Sequence, residues 1–255
     1  MNTLNRSVWH CNIPGAILGL LISYNAIAEQ ENINLTMSPE QLNQHIHEYL
    51  MNNPKVIIDA AQKYQLDQKK AADEKAQVAL KEHREAIFDK TTAPVIGSAE
   101  GDVTVVEFLD YNCGYCRKVF SSLVALHKDD PKVRIMFREL PILGPESKFA
   151  ARAALASHKQ GLYWEFHQAL ITTKQKLTES SIMAAATRVG LDIEQLKQDM
   201  ETPEIEERLL ANRALAESMA ITGTPTIIIG DTILRGAVGQ AKLNALVDEE
   251  RQAGS

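Results

Sequence analysis

Residues 107–120 read EFLDYNCGYCRKVF, and they place Cys113 and Cys116 where a β-branched, apolar run gives way to a helical pattern. The run before them, VTVVEFLDY, is apolar almost throughout except for Glu107 and Asp110, which suits a central, buried strand. CRKVFSSLVALHK then reads as a helix and KVRIMFREL as a second strand, so the class is α/β. A cysteine at the start of such a helix meets unpaired N–H groups and the positive end of the helix dipole. Both stabilise a thiolate and turn the corresponding disulfide into an oxidant.

Three uses compete for a Cys-x-x-Cys pair: a metal clip, a structural staple and a redox centre. A metal clip needs about four ligands. No second cysteine pair follows, and His45, His47, His83, His127, His158 and His167 have no spacing that completes a site. A staple that closes so short a loop barely restricts the unfolded chain. The redox reading is therefore the leading one. Cys113 is the candidate attacking thiolate, Cys116 the resolving thiol, and the pair a redox-active disulfide that needs no metal and no cofactor.

The chain begins with Arg6 ahead of an apolar run from Ile13 to Ile22, and then presents Ala26 and Ala28 at A-x-A spacing. This is the pattern of a secretory signal peptide over residues 1–28, with an uncleaved anchor as the alternative. The run is too short for the ~20 residues that a spanning helix needs. Cys11 lies ahead of it and receives no role, so the mature chain holds just the Cys113/Cys116 pair in a compartment where disulfides persist.

Residues 29–92 form a long helical extension. Ser38, Pro39 and Gln41 make a capping-box start for a helix to about Asn52, and Pro54 opens a second helical pattern to about Lys90. Between Gln65 and Lys75 the apolar residues are Leu66, Ala71 and Ala72, so the helix cannot all lie on a core. Its apolar groups gather at Val56 to Tyr64 and at Val78 to Phe88. That distribution fits an arm whose distal end packs, with the first helix, on a copy of itself, giving a homodimer or homotrimer. A solvated or broken helix is the alternative.

Residues 93–255 form the catalytic domain. TTAPVIGSAEGD is a linker or short strand, and about residues 146–220 are four or so amphipathic helices inserted between strands. TPTIIIGDTILRG is a hairpin turning at Gly230 and Asp231, and QAKLNALVDEER is a closing helix. A formal charge of −6 with intermixed acids and bases gives no reason to expect a nucleic acid partner.

VVEFLDYNCGYC and ITGTPTIII resemble the active-site strand and cis-proline loop of thioredoxin-fold Dsb proteins, and the helical insertion resembles that of the DsbA-like branch. The resemblance covers about residues 94–250 and implies a thioredoxin fold. It also implies that Thr224 and Pro225 bind the substrate chain beside the cysteines, with Pro225 in cis, and that Glu107 is a buried acid relaying protons to the resolving cysteine. From the residues alone Glu107 is a buried acid or an edge carboxylate paired at the surface. The N-terminal extension is similar to the oligomeric, ScsC-like relatives. Gly114, Tyr115 and Thr224 match the disulfide isomerase branch, DsbC, better than the oxidase branch.

These likenesses imply a periplasmic thiol-disulfide interchange protein acting on secreted proteins, with isomerase and reductase activity and some oxidase capacity. They further imply a membrane redox partner of the DsbB or DsbD type. The alternatives are a DsbA-like dithiol oxidase recharged by a membrane quinone reductase, and a chaperone or surface-binding module acting through the helical arm.

Overall fold

The computed structural model describes residues 37–98 and 100–254. The signal-peptide segment 1–28, Cys11 and the start of the extension lie outside the described residues. Among the described residues no helix is long and apolar enough to cross a membrane. The chain divides into two compact units at Ile57/Ile58.

The first unit holds α1 (Pro39–Asn52), which starts as its sequence predicts. Gln41 N–H donates to the Ser38 hydroxyl at 3.3 Å, and Ser38 N–H donates to Gln41 Oε1 at 3.0 Å. This reciprocal pair satisfies two N–H groups that would otherwise lack partners. Leu42, Ile46 and Tyr49 recur at helical spacing along α1 and are exposed.

The second unit is built on a five-stranded sheet in the order β1-β3-β2-β4-β5. Its strands are β1 (Val95–Ile96), β2 (Val103–Leu109), β3 (Val133–Glu139), β4 (Thr226–Ile229) and β5 (Thr232–Arg235). β2 and β3 are parallel and the remaining pairs antiparallel. Parallel neighbours need a crossover, which α4 (Gly114–Asp129) supplies. The β4–β5 turn falls at Gly230 and Asp231, as its sequence predicts. Gly230 has φ +54°, and a Cβ there would overlap the Glu250 carboxylate of α10 (Gln240–Ala253).

Strand alternation sorts the core into two layers. Val103, Val105, Leu109, Val133, Ile135 and Phe137 face α4, α10 and the helical insertion. Val106, Phe108, Met136 and Ile228 face the other way, onto Ala76, Ala79, Leu80 and Ile87. The insertion comprises α5 (Pro145–Lys159), α6 (Tyr163–Ile171), α7 (Glu179–Arg188), α8 (Ile193–Met200) and α9 (Pro203–Ser218). That is one helix more than the four or so expected. The short α8 is capped by Asp192, which accepts from Gln195 N–H at 3.0 Å.

The helix expected from Pro54 to Lys90 is broken into α2 (Lys55–Glu82) and α3 (Arg84–Phe88), with His83 at φ −104°, ψ 13° between them. Arg138 accounts for the short second piece. Its side chain is fully buried on the α3 side of the sheet, where Nε donates to the Ile87 carbonyl at 3.0 Å and Nη1 to Asn212 Oδ1 at 3.0 Å. Burial lowers its pKa to about 10, and the helix-terminal carbonyl absorbs its N–H groups. Sequence reading places the domain boundary at residue 92/93. In the structure Ala76, Ala79, Leu80 and Ile87 share one apolar cluster with the sheet.

Candidate active site

Cys113 is the N-cap of α4, and Cys116 lies in the first turn behind it. Asp110, at the end of β2, shapes the approach: its carbonyl accepts Cys113 N–H at 3.0 Å. Its carboxylate accepts Asn112 N–H at 2.8 Å on one oxygen and Ile142 and Leu143 N–H at 2.8 and 2.9 Å on the other. Arg117, one turn into α4, donates to the Tyr111 carbonyl at 3.2 Å and to the Thr173 carbonyl at 2.7 Å, tying the helix to the insertion.

Both sulfurs are free thiols in this structure. Cys113 keeps 7% of its surface and Cys116 only 1%, so the first is the more accessible of the two. Tyr115 between them is exposed. The antiparallel pairing of β4 with β2 sets Thr226 opposite Phe108, which carries the residues just before β4 up to the helix start. There the Thr224–Pro225 bond is cis, and the Cys113 thiol donates to the Thr224 carbonyl at 3.0 Å. Thr224 Oγ1 is buried and has no partner among the described residues.

Glu107 is buried, as the first of the two readings of its sequence context expects, with Phe137 and Ile227 as its cross-strand neighbours. Its pKa is raised well above the usual carboxylate range by burial first, and then by the nearby Glu139 and Cys113. The Cys116 thiol is pushed well up, again mainly by burial and then by the neighbouring Glu107. A departing Cys116 thiolate in this pocket therefore takes a proton readily.

Sequence reading passed over a second acid on the same face. Glu139 ends β3 and is fully buried. Tyr111 and Tyr163 both donate to its Oε1, at 3.0 and 2.9 Å. His167 Nδ1 lies 2.9 Å from the Tyr111 hydroxyl, and the His167 ring sits 4.4 Å from that of Phe137. Since the Tyr111 proton goes to Glu139, His167 is assigned the tautomer that donates from Nδ1. Burial raises Glu139 to about 8 and lowers His167 to about 3. The available signal was an acid closing an apolar strand, the same pattern that drew attention to Glu107. The tyrosines and the histidine come from other elements and carried none.

Comparison with known proteins agrees with this geometry. Residues 104–248 match the DSBA-like thioredoxin domain family, and residues 40–71 match the copper resistance protein ScsC N-terminal domain. A thioredoxin-like oxidoreductase from Silicibacter pomeroyi is 46% identical with a TM-score of 0.65, over 66% of this chain and 98% of that one. The catalytic domain of Proteus mirabilis ScsC is 30% identical with a TM-score of 0.63, over 69% of this chain and 98% of that one. Na(+)/H(+) antiporter NhaA 3 of Salinispora tropica is 30% identical over 155 residues. This chain spans 24% of that antiporter's length. A buried Cys-x-x-Cys pair at a helix start beside a cis-proline loop, on a sheet of this topology, places the chain in the DSBA-like thioredoxin domain family as a thiol-disulfide oxidoreductase.

Proposed function

We propose that this oxidoreductase acts in the periplasm on disulfides of secreted proteins, as an isomerase and reductase with some oxidase capacity. The observation that carries the reading is the Cys113 thiol at the start of α4, 3.0 Å from the Thr224 carbonyl, with Cys116 buried behind it. In isomerisation the Cys113 thiolate attacks a mispaired substrate disulfide, forming a mixed disulfide and releasing a substrate thiolate. That thiolate attacks a second substrate disulfide and frees another substrate thiolate, which attacks the substrate sulfur of the mixed disulfide, so Cys113 leaves with its electron pair restored and no net oxidation. In reduction Cys116 attacks Cys113 instead and ends the cycle as the Cys113–Cys116 disulfide.

Thr224 and Pro225 present backbone to the bound chain, Glu107 carries the proton for Cys116, and exposed Tyr115 meets the substrate. Leu42, Ile46 and Tyr49 on α1 supply the self-association that brings two or three sites together. The exchange partner is a membrane protein of the DsbB or DsbD type. Export relies on residues 1–28 as a signal peptide.

Reactivation of scrambled ribonuclease, compared with oxidation of reduced ribonuclease, tests the direction. Faster reactivation supports the isomerase reading; faster oxidation, with a protein that rests oxidised in cells, supports a dithiol oxidase instead. Deleting the first compact unit, up to Ile57, is expected to lower the isomerase rate and leave insulin reduction intact.

A further inference from the structure

Glu107 and Glu139 stand on adjacent parallel strands and on one face of the sheet, since Glu107 is in register with Phe137 and Glu139 with Leu109. Both carboxyls are buried. Two charges on one apolar face repel and cost desolvation twice, so the pair loses its protons in sequence. Hydrogen bonding decides the order. Glu139 Oε1 accepts from two phenol hydroxyls, whereas among the described residues no hydrogen bond reaches the Glu107 carboxyl. Donors aimed at one carboxylate favour its ionised form over that of its neighbour.

We propose that Glu139 is a positioning residue for the thiol-disulfide reaction: held by Tyr111 and Tyr163, it is the first of the two acids to ionise, so whenever the pair carries a single negative charge Glu139 bears it and Glu107 keeps its proton for Cys116. When a substrate thiolate attacks Cys113, the Cys113–Cys116 bond breaks, its electron pair goes to Cys116 Sγ, and the Glu107 proton follows. In the reverse direction Cys116 returns the proton to Glu107 as it attacks Cys113. The inference rests on the reading of Glu107 as the proton carrier.

The groups that face Glu139 are Glu107 from β2, Asp110 and Tyr111 from the loop before α4, and Tyr163 and His167 from α6. His167 is held neutral by burial, so it brings no cation that could pair with Glu139. Glu139 Oε2 and His167 Nε2 are both buried without a partner among the described residues. The raised position of Glu107, which Glu139 pushes further up, agrees in direction with this order of ionisation.

The test follows the Glu107 carboxyl by carbon-13 NMR in the reduced, full-length protein carrying carboxyl-labelled glutamate, with Glu107→Gln assigning the signal. Glu139→Gln keeps an oxygen for both tyrosines and removes the charge. It is expected to lower the Glu107 midpoint by about one unit, a tenfold loss of proton affinity. Tyr163→Phe leaves every carboxyl in place and is expected to move the midpoint the same way, with no further shift in the double variant. A Glu107 midpoint unmoved by Glu139→Gln, or moved upward by Tyr163→Phe, overturns the inference. The proton-carrier reading fails separately, if Glu107→Gln exchanges disulfides at the unaltered rate.

Discussion

The Cys113 thiol donates to the Thr224 carbonyl at 3.0 Å, across 111 residues of sequence. This contact joins the start of α4 to the loop before β4, so the sulfur proposed to attack and the backbone proposed to meet a substrate lie side by side. Cys116 lies just beneath and is closed to solvent. The geometry gives two cysteines of the same chemistry different access to solvent, which fits the separate roles proposed for them.

That separation gives the first expectation. Cys113→Ser abolishes insulin reduction and forms no mixed disulfide. Cys116→Ser leaves attack intact but removes resolution, so covalent complexes with substrate accumulate and are visible on non-reducing gels. Equal trapping by both variants would contradict the assignment of roles.

Glu139 makes stability depend on pH. Its pKa rises from the ordinary 4.5 to about 8 on folding, so between these values the folded state holds a proton that the unfolded state has released. Stability from this group is complete below pH 4.5 and is lost as pH rises toward 8. Glu139→Gln should remove about 3 kcal/mol of that decline between pH 4.5 and 7, read from urea unfolding midpoints.

His167 works in the opposite direction. Burial lowers it from 6.5 to about 3, so below pH 6.5 the unfolded chain takes up a proton that the folded chain refuses. Its contribution is complete above 6.5 and lost as pH falls. His167→Phe keeps a ring against Phe137 and should flatten this acid limb by about 2 kcal/mol between pH 6.5 and 5, in the same denaturation series.

Leu80 is fully buried against the sheet, whereas Val78, two residues earlier on α2, is 56% exposed. Leu80→Ala is expected to cost about 2–5 kcal/mol and Val78→Ala less than about 0.5 kcal/mol, measured by thermal or chemical denaturation. Similar small losses at both sites would show that α2 does not belong to the core of the catalytic unit.

Replacing Leu42, Ile46 and Tyr49 together by Ser is expected to lower the mass measured by light scattering to that of one chain. Insulin reduction should persist, because all three side chains are exposed on α1 and none belongs to the Cys113 site. Scrambled-ribonuclease reactivation should fall with the mass.

Much of the site was legible locally. The strand, the Cys-x-x-Cys step and the helix after it occupy consecutive residues, and the solitary acid in VTVVEFL marked Glu107. The break at His83 was not legible, because the helical pattern runs unchanged through it and Arg138, far along the chain, takes up the carbonyls of the short α3. Glu139 lies in the same kind of strand as Glu107 and carries no local mark of its own, since what singles it out are the two hydroxyls that reach it.

What the sequence determined by itself is what neighbours can encode: the capping box at Ser38, the turn at Gly230, and the placing of Cys113 at the first turn of a helix. Each depends on backbone groups and side chains within a few residues of one another. Tertiary structure alone decided which acid faces which donor, which sulfur meets solvent, and that α2 closes the far side of the sheet. Those outcomes depend on strand register and on side-chain volume at positions distant in the chain, which no local periodicity records.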